Sequence, residues 1–455
     1  MENSKKTYLF EESPIPKAIF TLAIPTIISS LVMVIYNLAD TYFVGILNDP
    51  IQNAAVTLSA PVLLAFNAIN NLFGVGASSM MSRALGRKDY ETVAHSSAFG
   101  FYCSLACGIL FSLCVFAFHA PLLALLGTAP DNLEATGNYL MWTAGFGAVP
   151  AILNVVMAYL FRSEGSSLHA SIGTMSGCLL NIILDPFFIL PFGLNMGAAG
   201  AGCATFLSNC VALVYFMVLR FVKRNSTYVC ISPAKFRCGK STVLGICAVG
   251  IPASVQNLLN VTGMTFLNNF TASYGSDAVA AMGIAQKINM IPLYVALGFS
   301  QGIMPLVSYN YSSGNSRRTK ETILFAYKIS IAFILVIAAL IYLNAGALIG
   351  LFMKNEIIIT YGAKFLHGLS LSLPFLCADF LAVGIFQACG MGGRSFVFAI
   401  LRKIILEIPA MFILNMLFPL YGLAYAQFAA EFVLAIAAAL MIRKIFRSLP
   451  EHSLT

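Results

Sequence analysis

The chain has 455 residues, of which 59% are hydrophobic and only 10% are charged, with a net charge of +8. Soluble domains carry about 25% charged residues, so this composition excludes two or three soluble domains of the same total length. An outer-membrane barrel is built from alternating segments of ~10 residues, whereas the apolar runs here are long and continuous. The sequence therefore predicts an all-α polytopic membrane protein.

Apolar runs long enough to cross a bilayer, ~20 residues each, predict twelve transmembrane helices. Their approximate centres are Val32, Leu72, Gly108, Pro150, Cys178, Val211, Leu259, Val295, Val336, Phe375, Ile408 and Ile436. Several runs exceed the minimum length, which allows the helices to tilt without fixing an angle.

Basic residues concentrate in every second connection between these spans. Of the 26 Lys and Arg residues, only Lys287, Lys354 and Lys364 lie on the opposite side of the predicted topology. Because Lys and Arg mark cytoplasmic connections, both termini are predicted to be cytoplasmic. This topology explains the net charge, so no nucleic-acid partner is needed to account for it.

The two halves of the chain repeat each other with an offset of about 225 residues. The segment "AIPTIISSLVMVIYNLADTYFVG" recurs in form as "GIPASVQNLLNVTGMTFLNNFTA", and "GAGCATFLSN" recurs as "GLAYAQFAAE". Each half has six spans, an even number, which predicts two six-helix lobes related by a pseudo-twofold axis along the membrane normal. The predicted organisation is a first lobe at 1–221, a cytoplasmic linker at 222–241 and a second lobe at 242–455.

Five carboxylates fall within the predicted spans. A charged side chain at a helix centre costs about 2.5–3.5 kcal/mol on insertion scales, so such residues face the bundle interior and commonly mark an ion or substrate path. The five are Asp40, Asp185, Asp379, Glu407 and Glu431.

The stretch "NIILDPFFI" places Asn181 and Asp185 four residues apart, and therefore on one face of the fifth span. Asp40 lies at a similar depth in the first span. Pro186 cannot donate to the carbonyl of Ile182, which frees that oxygen. Two carboxylates, an amide oxygen and a free carbonyl suit a hard cation such as Na+. Two close carboxylates equally suit a proton, because they do not easily ionise together. A structural hydrogen-bonded pair is the alternative.

The second half does not repeat this acidic pair. Leu267 stands at the position that corresponds to Asp40, and Ala410 and Met411 occupy the region that corresponds to Asp185. The sequence therefore predicts a duplicated fold with a cation site in the first half.

The acids of the second half have other expected roles. Glu407 lies five residues from Arg402. Because buried charges are normally paired, Glu407 is expected to form an ion pair with a basic group. Asp379, in "CADFLAVG", has no charged neighbour in the sequence. Its role is left open between substrate contact and structure.

Together, "YNLADTYFVG", "GVGASSMMSRALG", "NIILDPFFI" and "GAAGAGCATFLSN" resemble the multidrug and toxic compound extrusion (MATE) family over essentially the whole chain, and "PIPK" resembles its bacterial subgroup that exports cationic dyes and antiseptics. The resemblance implies a transporter coupled to H+ or Na+, with Asp40, Asn181 and Asp185 as the cation site. A threonine of the sixth helix joins that site in the family, and Thr205 is the candidate. The sodium-coupled branch places a glutamate early in the seventh helix, where this chain has Gln256.

The resemblance further implies an antiporter whose lobes rock around a central cavity to alternate its access. Pro25 and Pro186 are the candidates for helix bending. The candidate cavity residues, all polar or aromatic, are Tyr36, Asn37, Gln256 and Asp379. The expected substrates are amphipathic, mostly cationic organic compounds, and the protein is expected to be a monomer in the bilayer without a cofactor.

A flippase for lipid-linked precursors is the alternative within the same superfamily. Its cavity would need buried basic residues to hold a pyrophosphate, but the spans offer only Lys287 near an outer end and Arg402 near an inner end. A membrane enzyme is a third hypothesis, and it is disfavoured because the sequence shows no nucleophile–base pair and no metal-binding motif.

Overall fold

The computed structural model describes residues 2–237 and 239–449, with side chains from residue 5 onward. Within this described part, all regular structure is helical and there is no strand. Among the described residues, ten helices are long and apolar enough to cross a membrane, and the bent pair Leu133–Phe146 and Ala148–Ser163 supplies an eleventh. The predicted all-α polytopic fold is confirmed.

The long helices account for most of the chain. In order, they are Ile15–Ile46, Pro50–Gly86, Tyr90–Ala117, the bent pair, Ser167–Ile189, Ala198–Val222, Lys240–Ala272, Ser276–Ser312, Ser316–Leu343, Glu356–Ala388 and Gly422–Ser448. Shorter helices are Glu2–Glu11, His119–Leu125, Pro233–Lys235 and Ala345–Phe352.

The eleventh predicted span, centred near Ile408, is a helix in three consecutive parts. An α-helical part, Gly392–Ile400, is followed by a π-helical part, Leu401–Glu407, and by a final α-helical part, Ile408–Leu417. The π-helical part has the sequence LRKIILE and buries Arg402, Lys403 and Glu407.

The order of elements repeats along the chain, as the sequence predicts. A short helix, His119–Leu125, follows the third span, and Ala345–Phe352 follows the corresponding span of the second half. The first span of each half contains an internal proline, Pro25 or Pro252.

The chain folds into two compact units. The first comprises the residues up to 9 together with 31–254, and the second comprises 10–30 together with the chain from 255 onward. The helices Ile15–Ile46 and Lys240–Ala272 are therefore each divided between the units. The lobe boundaries at 221 and 242 remain a prediction. Met1 and 450–455 of the predicted lobes, and Cys238 of the predicted linker, lie outside the described residues.

The linker 222–241 is anchored within the first unit by one buried carboxylate. Glu164 is 1% exposed and accepts a hydrogen bond from Lys6 Nζ at 2.6 Å. It also accepts from the Thr227 hydroxyl at 2.9 Å and from the backbone N–H of Tyr228. The helix Glu2–Glu11, which hydropathy did not predict, is held here through Lys6.

Candidate functional site

The helix Ser167–Ile189 buries one face through every fourth residue. Its other side is apolar and exposed at Leu179, Ile183 and Phe187, as expected for a surface against lipid. Because residues four apart share a face, the polar side chains of this helix point inward. The buried positions on that face include Gly173, Gly177, Asn181, Asp185 and Ile189.

Glycine brings this helix close to its neighbour, Ala198–Val222. A β-carbon placed on Gly177 would lie 3.1 Å from the β-carbon of Ala212 and 3.2 Å from the carbonyl oxygen of Ser208. Small residues allow helix backbones to approach in this way. The close approach brings Asn181 opposite Thr205.

Asn181 links Asp185 to Thr205. Asn181 is 1% exposed and Asp185 is fully buried. In the amide orientation that satisfies both neighbours, Asn181 Nδ2 donates to Asp185 Oδ2 at 2.9 Å, and its oxygen accepts from the Thr205 hydroxyl at 3.2 Å and from the Thr205 backbone N–H at 3.1 Å. The structure thus brings together three of the four predicted coupling residues by direct contacts.

Asp40 completes the cluster from the helix Ile15–Ile46. Its carboxyl group is close enough to that of Asp185 to interact electrostatically, and its Oδ1 is buried with no hydrogen-bond partner among the described residues. No salt bridge of those residues involves either acid. The site therefore holds two neighbouring carboxyl groups without a basic counterion.

Two tyrosines border the acids. Tyr36, one turn before Asp40, lies against Thr205 and faces both carboxyl groups. Tyr139, from the helix Leu133–Leu140, is buried and interacts with Tyr36 and both acids. Sequence reasoning missed Tyr139, because nothing in its own segment marks it and only the folding of the bent pair brings it to the site.

An apolar layer covers one side of the site. Val44 follows Asp40 by one turn, Ile189 follows Asp185 by one turn, and Ala201 precedes Thr205 by one turn. These three residues belong to one buried apolar cluster, together with Ala55, Tyr139, Leu190 and Ala198. The residues one turn away from Asp40, Asp185 and Thr205 thus pack together in one apolar cluster beside the site.

The remaining predicted residues are distributed between the two units. Pro25 and Pro186 each lie inside a continuous helix, so their role in bending remains a prediction. Asn37 is exposed, and Gln256 is partly buried. Tyr36 and Asn37 fall in the first unit while Gln256 and Asp379 fall in the second, and the substrate cavity remains a prediction.

The acids of the second unit meet basic side chains. Glu407 pairs with Lys403, one turn earlier, at 2.6 Å, which confirms the expected ion pairing and identifies its partner. Glu431 pairs with Arg402 at 2.6 Å. Asp379 is 1% exposed, and it interacts with Glu431 and Arg402.

Comparisons with known proteins agree with the motifs. The MatE family profile matches residues 25–187 and 252–413, two segments that follow the internal repeat. The multidrug export protein MepA of Staphylococcus aureus (strain MRSA252) is 34% identical over 441 residues, which cover 96% of both chains. MepA of Staphylococcus saprophyticus subsp. saprophyticus is 32% identical over 440 residues, again with 96% of both chains covered.

Solved structures show the same fold over nearly the whole chain. A crystal structure of MATE in complex with MaL6 has a TM-score of 0.92 and 28% identity, covering 98% of this chain and 99% of the other. A MOP superfamily transporter from Pyrococcus furiosus has a TM-score of 0.90 and 28% identity, with 98% of both chains covered. The family profile and these full-length similarities show that the chain belongs to the MATE family of membrane transporters.

Proposed function

We propose that the chain is a cation-coupled antiporter that exports amphipathic, mostly cationic organic compounds. The proposal is carried by the fully buried Asp185 beside Asp40, neither of which has a basic counterion in the described part of the chain. The MepA relatives are multidrug export proteins, which supports the substrate class. Asp40, Asn181, Asp185 and Thr205 form the proposed coupling site.

The physical chemistry of the pair favours cation binding. Two ionised carboxylates in a site of low dielectric repel each other and lose their hydration. A proton on one carboxyl, or a Na+ between the two, relieves both costs. The unpartnered Oδ1 of Asp40 and the Asp185 carboxyl offer the oxygen ligands that hard cations prefer. The coupling ion is therefore H+ or Na+.

Coupling requires that the cation and the drug favour different states of the transporter. A ligand shifts a conformational equilibrium only by its differential affinity for the two states. The helix Ile15–Ile46 carries Asp40 and Tyr36, so a change in cation occupancy acts directly on this helix. We therefore assign export to alternating access by a rocking bundle, in a monomer of the bacterial cytoplasmic membrane with both termini in the cytoplasm.

The basic residues of the second unit do not support the flippase alternative. Arg402 and Lys403 are buried, but Glu431 and Glu407 neutralise them at 2.6 Å. A pyrophosphate group would have to displace these carboxylates from their ion pairs. Lipophilic cations therefore remain the proposed substrates.

Dye efflux from proteoliposomes under an imposed H+ or Na+ gradient tests the proposal. The Asp40→Asn, Asp185→Asn double variant is expected to insert and purify normally, because uncharged side chains are cheaper in the membrane interior, and to lose gradient-driven efflux. Asp131→Asn removes an exposed carboxylate of the same unit and should transport like the wild type. Full gradient-driven efflux by the double variant would show that the first-unit acids are structural.

A further inference from the structure

The second unit encloses five charged side chains that the proposed coupling site does not use. Arg402 donates from Nε to Glu431 Oε1 at 2.6 Å. Lys403 Nζ lies 2.7 and 2.6 Å from the two oxygens of Glu407. The fifth is Asp379, which interacts with Glu431 and Arg402. Each of the five is at most 8% exposed.

The charges of this cluster do not balance if every group is ionised. The cluster has two bases and three acids, which leaves one negative charge. In a protein interior, an uncompensated charge costs several kcal/mol after relaxation. Such a group commonly takes up a proton instead of remaining charged.

The hydrogen-bond geometry identifies where a proton belongs. Among the described residues, neither oxygen of Asp379 has a hydrogen-bond partner, and Glu431 Oε2 has none either. The other oxygen of Glu431, Oε1, accepts a hydrogen bond from Arg402. Asp379 and Glu431 face each other closely enough to interact. Two facing carboxyl groups repel unless a proton lies between them. One proton shared between the two carboxyl groups would give a hydrogen-bond partner to one oxygen of Asp379 and to Oε2 of Glu431.

The other groups around Asp379 cannot neutralise it. The Tyr327 hydroxyl faces Asp379 but donates to the Ala378 carbonyl at 3.1 Å. Cys377 faces it from the same helix, and a thiol offers no positive charge. Glu407 acts on Arg402 and is itself neutralised by Lys403.

We infer that Asp379 and Glu431 share one exchangeable proton, so that the second unit contains a proton-binding site of its own. When the proton leaves for water, both carboxyl groups become anionic and the net charge of the cluster falls from zero to minus one. When it returns, the O–H bond re-forms on one carboxyl and the other accepts it.

Loss of the proton would act on the π-helical segment Leu401–Glu407. Arg402 belongs to this segment and would then be attracted by two anionic carboxylates in place of one. Single π-helical turns are frequent at functional sites and interrupt regular hydrogen bonding, so this segment can adjust at lower cost than a regular helix. Gain or loss of the proton shared by Asp379 and Glu431 would therefore change the shape of the helix at 392–417.

Infrared spectroscopy of the full-length protein in detergent tests this inference. The background is the Asp40→Asn, Asp185→Asn variant, so the result does not depend on the first-unit site. A carboxylic-acid C=O stretch is expected in this protein and should be lost on Asp379→Asn. The exposed Glu356 lies on the same helix, and Glu356→Gln should leave the band unchanged. Absence of the band in the background protein, or its persistence after Asp379→Asn, would overturn the inference.

Glu431→Gln distinguishes a shared proton from one that Asp379 holds alone. If the proton is shared, this variant also loses the band, because Asp379 then ionises and pairs with Arg402 while the charge of the cluster remains zero. If the band persists in Glu431→Gln, the shared site is wrong. Transfer of the background protein into D2O should move the band to lower frequency, and a band that never moves would contradict exchange.

Discussion

The two units neutralise their buried acids in different ways. In the first, Asp40 and Asp185 lie together and form no ion pair with any base that the structure describes. In the second, Glu431 and Glu407 are each held by a base at 2.6 Å. The first pair has only a cation from outside to neutralise it, whereas in the second unit two bases neutralise two of the three acids and a proton neutralises the third. The difference suggests that duplication of the fold did not duplicate the coupling site.

Matched positions of the repeat show how the difference arises. In the aligned segments "GAGCATFLSN" and "GLAYAQFAAE", Asn209 corresponds to Glu431. Asn209 accepts a hydrogen bond from the side-chain amide of Asn154 at 3.0 Å, whereas Glu431 accepts one from the guanidinium of Arg402. The acceptor at this position of the repeat is thus neutral in one unit and charged in the other, although the donor comes from the fourth span in the first unit and from the eleventh span in the second.

Removal of a base from the buried ion pairs of the second unit should have the largest effect on stability. Arg402→Met leaves Glu431 and Asp379 without a base, and removal of one partner from a buried ion pair costs about 3–5 kcal/mol. We expect a large fall in melting temperature in detergent. Arg317→Met removes an exposed arginine and should change little. An unchanged melting temperature for Arg402→Met would contradict the compensated arrangement.

The close helix approach behind the coupling site should be the next most sensitive feature. A β-carbon on Gly173 would collide with the Phe216 ring, whereas one on Gly393, in the corresponding helix of the second unit, would meet nothing within 4 Å. Overpacking of this kind costs about 1–3 kcal/mol. Gly173→Ala should therefore lower the melting temperature more than Gly393→Ala. Equal effects would show that the helices separate easily.

Removal of the amide at the coupling site should have a smaller effect on transport. Asn181→Ala deletes the links to Asp185 and Thr205 but removes no charge, and a hydrogen bond to a charged group contributes about 1.5–3 kcal/mol. We expect gradient-driven dye efflux to weaken but to persist, in contrast to the Asp185→Asn variant. Complete loss of efflux with normal folding would make Asn181 as important as the carboxylates.

The smallest effect concerns two helix caps at corresponding places in the repeat. Asp89 accepts from the Thr92 backbone N–H at 3.0 Å, and Asn315 accepts from that of Arg318 at 3.0 Å. The hydrogen bonds from Thr92 hold the pKa of Asp89 below its usual value. A carboxyl with a depressed pKa in the folded state stabilises the protein above its unfolded pKa, and this stabilisation is lost as the pH falls through the folded pKa.

Melting temperatures at neutral and acidic pH test whether the carboxylate cap Asp89 depends on pH while the amide cap Asn315 does not. Asp89→Ala should lower the melting temperature slightly at neutral pH and less at acidic pH. Asn315→Ala should lower it equally at both, because an amide does not titrate. A pH-independent effect at Asp89 would show that the charge of the cap contributes nothing.

Hydropathy and spacing were sufficient for much of this account. Long apolar runs predicted the helices, and the spacing of four residues predicted that Asn181 and Asp185 share a buried face. Both inferences depend on local periodicity, which a sequence displays directly. Hydropathy did not predict the helix Glu2–Glu11, because the ion pair between Lys6 and Glu164 joins residues far apart in the chain.

The composition of each charge cluster could not be derived from spacing alone. Lys403 and Glu407 are four residues apart and could be paired from the sequence. Arg402, Glu431 and Asp379 lie on three different helices, and only their packing shows that they meet. Tyr139 escaped notice for the same reason.

The central claim is that a cation occupies the pair Asp40 and Asp185 and is displaced by the drug. The most direct measurement is the release of H+ or Na+ when a lipophilic cation binds to the purified protein in weakly buffered detergent solution. We expect release from the wild type and none from the Asp40→Asn, Asp185→Asn variant, which should still bind the drug. Equal ion release from both proteins would contradict it.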